Sequence, residues 1–212
     1  MYNPEALLET NYILSSCKII EGSIFKNDAP FFEAKGLTVA DFLIAAYNHW
    51  GAQYPKFYKM DQLSKLGWLA SDILLKDSSF NSKDYKPEDI GLVLSNANSS
   101  LDTDLKYFQT TKDFASPSLF VYTLPNIVAG EICIRHHFKG ENAFFVSAEF
   151  DVDFIQQYVN NLINNNILQF CICGWVDLLG EDYKAVLFLV GKEKQPDSIP
   201  FTKNEIKKIY QS

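Results

Sequence analysis

Behind Thr38, the apolar residues Val39, Phe42, Leu43, Ala46 and Trp50 recur every three or four positions. That spacing gathers side chains on one face of an α-helix, and Pro55 closes the segment. The same period returns in Leu63, Leu66, Ala70, Ile73 and Leu74, with Asp61 placed where a carboxylate meets the positive end of the helix dipole. Ile90-Gly91-Leu92-Val93-Leu94 breaks the rhythm as a short, continuous apolar run of strand type. The polar stretch between them, Lys76 to Glu88, reads as a surface loop.

Further along, Pro125 suits the first turn of a helix over about Asn126 to His136, because its missing N–H would be unpaired there anyway. Ala143-Phe144-Phe145-Val146-Ser147 predicts a strand. Asp151 then precedes the stripe Phe154, Ile155, Tyr158, Val159, Leu162 and Ile163, and Asn164-Asn165-Asn166 supplies a stop, which together mark the clearest helix in the chain. Strands over Leu168 to Cys173 and Ala185 to Val190 are joined by a loop around Gly180-Glu181-Asp182. Helices alternating with nearly continuous apolar strands give an α/β class with a sheet covered on both faces.

A length of 212 residues, 47% of them hydrophobic, suits one domain spanning residues 1–212 with a sizeable core. The net charge of −7 argues against a nucleic-acid partner, which demands a basic surface against phosphate. Met1 to Glu9 lacks a basic region leading into a long apolar stretch, and no later segment approaches the ~20 apolar residues of a membrane span. The expected location is the cytoplasm. There, Cys17, Cys133, Cys171 and Cys173 are expected as free thiols, with Cys171 and Cys173 packed as small hydrophobes. Neighbouring histidines such as His136 and His137 near a helix end point in different directions, so no metal is expected. Gly91, Gly130 and Gly174 are isolated and form no phosphate-cradling loop, so no cofactor is expected either.

Three stretches, in order, resemble the β-ketoacyl synthases of the thiolase-like superfamily. They are Phe57-Tyr58-Lys59-Met60-Asp61-Gln62-Leu63-Ser64-Lys65-Leu66-Gly67, the run from Ser116-Pro117 through Tyr122 and Gly130-Glu131 to Lys139-Gly140-Glu141-Asn142, and Asn164 through Gly174-Trp175-Val176-Asp177. The resemblance implies the N-terminal half of a thiolase-like fold, with a five-stranded mixed sheet between helices. In that family the nucleophilic cysteine follows a strand at the N-terminus of the next helix, where orphan N–H groups and the dipole favour a thiolate. The matching position here is Glu149. The resemblance also implies that the family's catalytic histidines and lysine, which come from its C-terminal repeat, have no counterpart before the chain ends.

A carboxylate is tolerated at a helix N-terminus, but an acyl-glutamate is a mixed anhydride prone to hydrolysis, unlike a thioester. Two readings of Glu149 therefore stand side by side: a general base, or a carboxylate serving only the helix start. The resemblance implies a non-catalytic accessory subunit of fatty-acid, polyketide or aryl-polyene synthesis, partnered by a full-length ketosynthase, an acyl carrier protein or both. The alternative is a decarboxylase or hydrolase of acyl thioesters that uses Glu149. By analogy with the family's two-fold interface, Ala143, Phe144, Phe145, Val146 and Ser147 are the expected pairing edge of a homodimer or heterodimer. The aromatic content of 15% adds apolar surface that an oligomer would cover.

Overall fold

The computed structural model describes residues 10–76 and 80–212. The expectation about Met1 to Glu9 lies outside those residues, as does part of the Lys76 to Glu88 stretch. The chain opens with three strands, β1 (Tyr12–Ile20), β2 (Ser23–Lys26) and β3 (Ala29–Glu33), followed by helices α1 (Val39–Trp50) and α2 (Gln62–Leu75). Strand β4 (Ile90–Asn96) leads to α3 (Leu101–Thr110), the one-turn α4 (Pro117–Phe120) and α5 (Ile127–His136). Then come β5 (Asn142–Val146), α6 (Val152–Asn164), β6 (Phe170–Leu179), β7 (Asp182–Gly191), β8 (Ile199–Pro200) and α7 (Lys203–Gln211).

The strands form one mixed sheet in the order β3-β2-β1-β7-β6-β4-β5, with β8 paired to β1. Strand β4 runs parallel to both β5 and β6, while β6, β7, β1, β2 and β3 pair antiparallel in succession. The described residues form eight strands of this sheet rather than the expected five. The additional ones arise before Thr38, where the β1-β2-β3 meander turns at residues of positive φ such as Gly22 and Asp28, and after Val190, where β8 pairs with the first residues of β1. Helices α1, α2 and α5 cover one face of the sheet over Phe42, Leu66 and Leu94. Helices α6 and α7 cover the other, over Val93, Cys173 and Phe188.

Local chemistry explains most boundaries. Thr38 caps α1 by accepting from Asp41 N, and Gly51 ends it in the left-handed region, four residues ahead of Pro55. Asp61 caps α2 by accepting from Ser64 N at 2.9 Å. Asp151 caps α6, whose apolar stripe buries Ile155, Val159, Leu162 and Ile163, and Asn166 takes a positive φ just beyond its end. Burial of each such side chain contributes about 1.5–3 kcal/mol, so the stripe outweighs the weak propensity of an Asn-rich helix. Pro125 stands one residue before the Asn126 N-cap of α5 instead of inside its first turn; it is Pro117 that occupies the first turn of a helix. The polar loop is also less loose than its composition implies. Phe80 and Tyr85 stack on each other and against Phe170, anchoring the described part to the sheet.

Candidate functional site at the carboxyl ends of the parallel strands

Ligands of open α/β sheets gather at the carboxyl ends of the parallel strands. In this chain those ends carry two turns and one strand that passes straight through. After β4, Asn96 Nδ2 donates to Ser99 O at 2.8 Å, and its Oδ1 accepts from Ser99 N at 3.0 Å. Asp177 on β6 fastens the same turn from the side: its Oδ1 accepts from Ala97 N at 3.1 Å and from Asn98 N at 2.9 Å, and its Oδ2 accepts from Asn98 Nδ2 at 2.8 Å. A carboxylate that accepts several backbone N–H groups holds a turn rigidly.

After β5, Ser147 N donates to Asn96 O at 3.0 Å, carrying the parallel pairing one residue beyond the strand. Ser147 Oγ then donates to Glu149 O at 2.7 Å, and Phe150 turns inward against Trp175. Glu149 is thus an exposed residue of the turn, ahead of the helix. The expectation that it starts the helix is corrected: α6 begins at Val152, and the N-cap is Asp151, which accepts from Phe154 N at 2.9 Å. The reason is geometric. Only the residue directly before the first helical turn has a side chain in reach of its orphan N–H groups, and Asp151 takes that place.

Glu149 lines a groove of about 580 Å³ together with Ser147, Asp153, Lys207 and Tyr210. The last two come from α7, which the apolar pattern did not reveal. A local signal was present: Thr202-Lys203-Asn204-Glu205 has capping-box spacing ahead of Ile206 and Ile209. Thr202 does cap α7, accepting from Glu205 N at 3.4 Å. Tyr210 packs its ring on Phe150 at 4.9 Å and lies under the Lys184 ammonium at 3.7 Å. Burial pushes its hydroxyl above the usual phenol range, and the negative charges of Asp177 and Glu149 push the same way. The groove therefore places the carboxylates of Glu149, Asp151 and Asp153, a phenol and an ammonium at one end of the sheet.

Thiol chemistry is poorly supported anywhere in the chain. Cys17, Cys171 and Cys173 are buried, and Cys133 is half-buried. Burial holds each protonated, pushing Cys17 up to about 12 and Cys133 up to about 11. No group of three or more His, Cys, Asp and Glu side chains able to hold a metal occurs among the described residues. His136 stacks on Phe138 inside the fold, whereas His137 is exposed with a left-handed backbone at the end of α5.

The expected pairing residues form an edge of the sheet. Among the described residues strand β5 pairs only with β4 and ends the strand order, so none of them pairs with the other side of its backbone. Phe145 packs inward on Phe154 and Tyr158, while Val146 is 55% exposed. A second apolar surface runs over α3 and α4 and the turns around them, where Leu105, Phe108, Phe114, Phe120 and Leu124 are exposed. No single helix is long and apolar enough to cross a membrane among the described residues.

Together the mixed sheet, its two helical layers and the strand-turn-helix that carries Glu149 are the architecture of the N-terminal half of a thiolase-like fold. Residues 47–196 match the family model described as "Beta-ketoacyl synthase, N-terminal domain", and the chain belongs to that family. Solved structures share the fold. "The ishigamide ketosynthase/chain length factor" superposes with a TM-score of 0.61 at 15% identity, over 86% of this chain and 62% of that one. The complex "AntDE:AntF", a type II PKS acyl-carrier protein with its ketosynthase, gives 0.60 at 13% identity over 86% and 62%. A ketosynthase (ApeO) in complex with its chain length factor (ApeC) from Xenorhabdus doucetiae gives 0.55 at 12% identity over 87% and 79%. The chain thus spans 62% of the length of the first two. No curated protein matches it in sequence.

Proposed function

We propose that this chain is a non-catalytic, ketosynthase-like accessory subunit that works beside a cysteine-bearing ketosynthase and its acyl carrier protein in fatty-acid, polyketide or aryl-polyene synthesis. The observation that carries the reading is the turn after β5. In the family this turn delivers a nucleophilic cysteine; here the corresponding residue, by the order of matched segments, is Glu149. An exposed carboxylate there cannot store an acyl group as a thioester. What the chain retains is a scaffold with a strand edge unpaired among the described residues and an exposed apolar surface over α3 and α4. Similar structures contain ketosynthases with chain length factors and a ketosynthase with its acyl-carrier protein, which supports partners of those kinds.

Edge strands left unpaired favour association with another strand, and exposed apolar patches mark surfaces that a partner covers. In this reading Ala143, Phe144, Phe145, Val146 and Ser147 pair with the equivalent strand of a partner. Affinity purification of the full chain from its native cell tests it. A cysteine-bearing ketosynthase or an acyl carrier protein is expected in the eluate, and recovery of neither overturns it.

One observation favours a second reading. The Glu149 carboxylate lines an open groove beside Tyr210 and Lys207, so water and a small substrate have access to it. A residual acyl-thioester hydrolase or decarboxylase would act through Glu149 as base. Turnover that vanishes in Glu149→Ala and survives alkylation of the thiols would establish it, and no turnover of malonyl or acyl thioesters would eliminate it for those substrates.

A further inference from the structure

A second cavity lies far from Glu149 in the fold. It opens beside Pro87 and Ile90, at the amino ends of the parallel strands, and it belongs to the sheet face covered by α2 and α5. Its volume of about 510 Å³ falls within the ~300–1,000 Å³ typical of sites for small molecules. Tyr85, Pro87, Ile90 and Phe138 give it apolar walls. Its polar groups are concentrated at the end of α5 and centre on Asp72, a buried carboxylate from α2.

Both oxygens of Asp72 are engaged. Oδ2 accepts from the Trp50 indole at 2.6 Å, and Oδ1 accepts from Arg135 Nε at 3.0 Å. Asp72 thereby fixes Arg135, whose guanidinium lies over the rings of Tyr54 and Trp68. Only Nε of the guanidinium has a hydrogen-bond partner among the described residues, so its two Nη groups retain donors for an acceptor. The Nε2 atom of His136 is buried and makes no hydrogen bond in the structure, standing 3.6 Å from Asp72 Oδ1, beyond bonding distance. A buried polar atom without a partner is costly and calls for one. Lys83, exposed on the rim, adds a second cation, and no ion pair engages it among the described residues.

We propose that this cavity is a binding site for a small organic anion, with an apolar body against Tyr85, Ile90 and Phe138 and a carboxylate or phosphate head held by Arg135 and Lys83. His136 lines the same wall and reports on the site through Asp72. The balance of charge supports an anion over a cation: among the described residues the one carboxylate lining the cavity, Asp72, is already committed to Trp50 and Arg135. The site shares no residue with the Glu149 groove, so its test is independent of the accessory-subunit reading.

The test is an NMR titration of the intact chain that follows the Trp50 indole N–H and the His136 imidazole. The probes are benzoate, phenyl phosphate, the neutral isostere benzyl alcohol and inorganic phosphate. Saturable shifts are expected with benzoate or phenyl phosphate, and the tighter of the two identifies the head. Binding should weaken at least ten-fold with benzyl alcohol and several-fold in Lys83→Ala, a change at an exposed position that leaves the fold intact. The proposal is overturned if neither aromatic anion saturates, if benzyl alcohol binds equally well, if Lys83→Ala changes nothing, or if inorganic phosphate matches the aromatic anions.

Discussion

A Cβ built on Gly67 of α2 would stand 2.4 Å from Cγ2 of Val128 on α5. The bare backbone at Gly67 is what lets the two helices pack so closely over the sheet. Gly67→Ala gains about 1 kcal/mol of helix propensity but forces a buried contact, and overpacking costs about 1–3 kcal/mol. Val128 is β-branched and stiff in its helix, so it does not swing away. Gly67→Ala is expected to destabilise the chain. Adding Val128→Ala should recover part of that loss, visible as a favourable coupling in a double-mutant cycle by urea denaturation.

Gly174 tests the sheet beneath the candidate site. Its φ is +147°, and an added Cβ would lie 2.0 Å from Val186 O on the neighbouring strand. Both strain and a backbone clash oppose any side chain there. Gly174→Ala is expected to cost at least about 2 kcal/mol, read as a lower denaturation midpoint with an unchanged slope.

The cap of α6 separates the roles of two acidic neighbours. Asp151→Ala removes the bond to Phe154 N and should cost about 1 kcal/mol, with Asp151→Asn close to the parent. Glu149→Ala, which removes an exposed carboxylate ahead of the cap, should leave thermal stability within about 0.5 kcal/mol. A large loss on Glu149→Ala would return that residue to the helix start.

His136 gives stability a pH dependence of defined sign. Burial holds its imidazole down at about 4, against a partial opposing pull from Asp72 and with Arg135 and His137 adding to the depression. The unfolded chain titrates it near the ordinary value of about 6.5, so between those values the unfolded state binds the extra proton. Its contribution is therefore fully present above about pH 6.5 and lost as pH falls toward 4, amounting to about 3 kcal/mol at most. His136→Phe should flatten that part of the stability-pH curve relative to the parent, measured by urea unfolding from pH 4 to pH 7.

The proposed pairing edge is tested at Val146. Its side chain is 55% exposed, so Val146→Lys should leave the monomer folded while placing a charge in a strand-strand contact. Sedimentation of the chain with its copurifying partner should show the complex with the parent and its loss with Val146→Lys. An unchanged complex would move the interface away from β5.

With α5 expected from Pro125 instead, apolar periodicity was enough to place α1, α2, α6, β4, β5 and parts of β6 and β7, because each buries one continuous stripe or run whose spacing is local to the sequence. It also marked Asp61 and Asp151 as caps, since a cap is a contact within one turn. Strands β1 to β3 were hidden: their residues mix serine, lysine and proline with apolar side chains, and pairing is decided by partners such as β7 that lie far away in the chain. Helix α7 was hidden too, being polar apart from Ile206, Ile209 and Tyr210, and it was legible only through its capping box. The α/β class and the place of Glu149 just after the strand of Ala143 to Ser147 were legible in the chain's own pattern. The packing of distant elements is what brings Tyr210 and Lys207 into one groove with Glu149 and makes Asp72, Arg135 and His136 converge on a second cavity. Those juxtapositions join residues tens of positions apart, and no local spacing encodes the packing that brings them together.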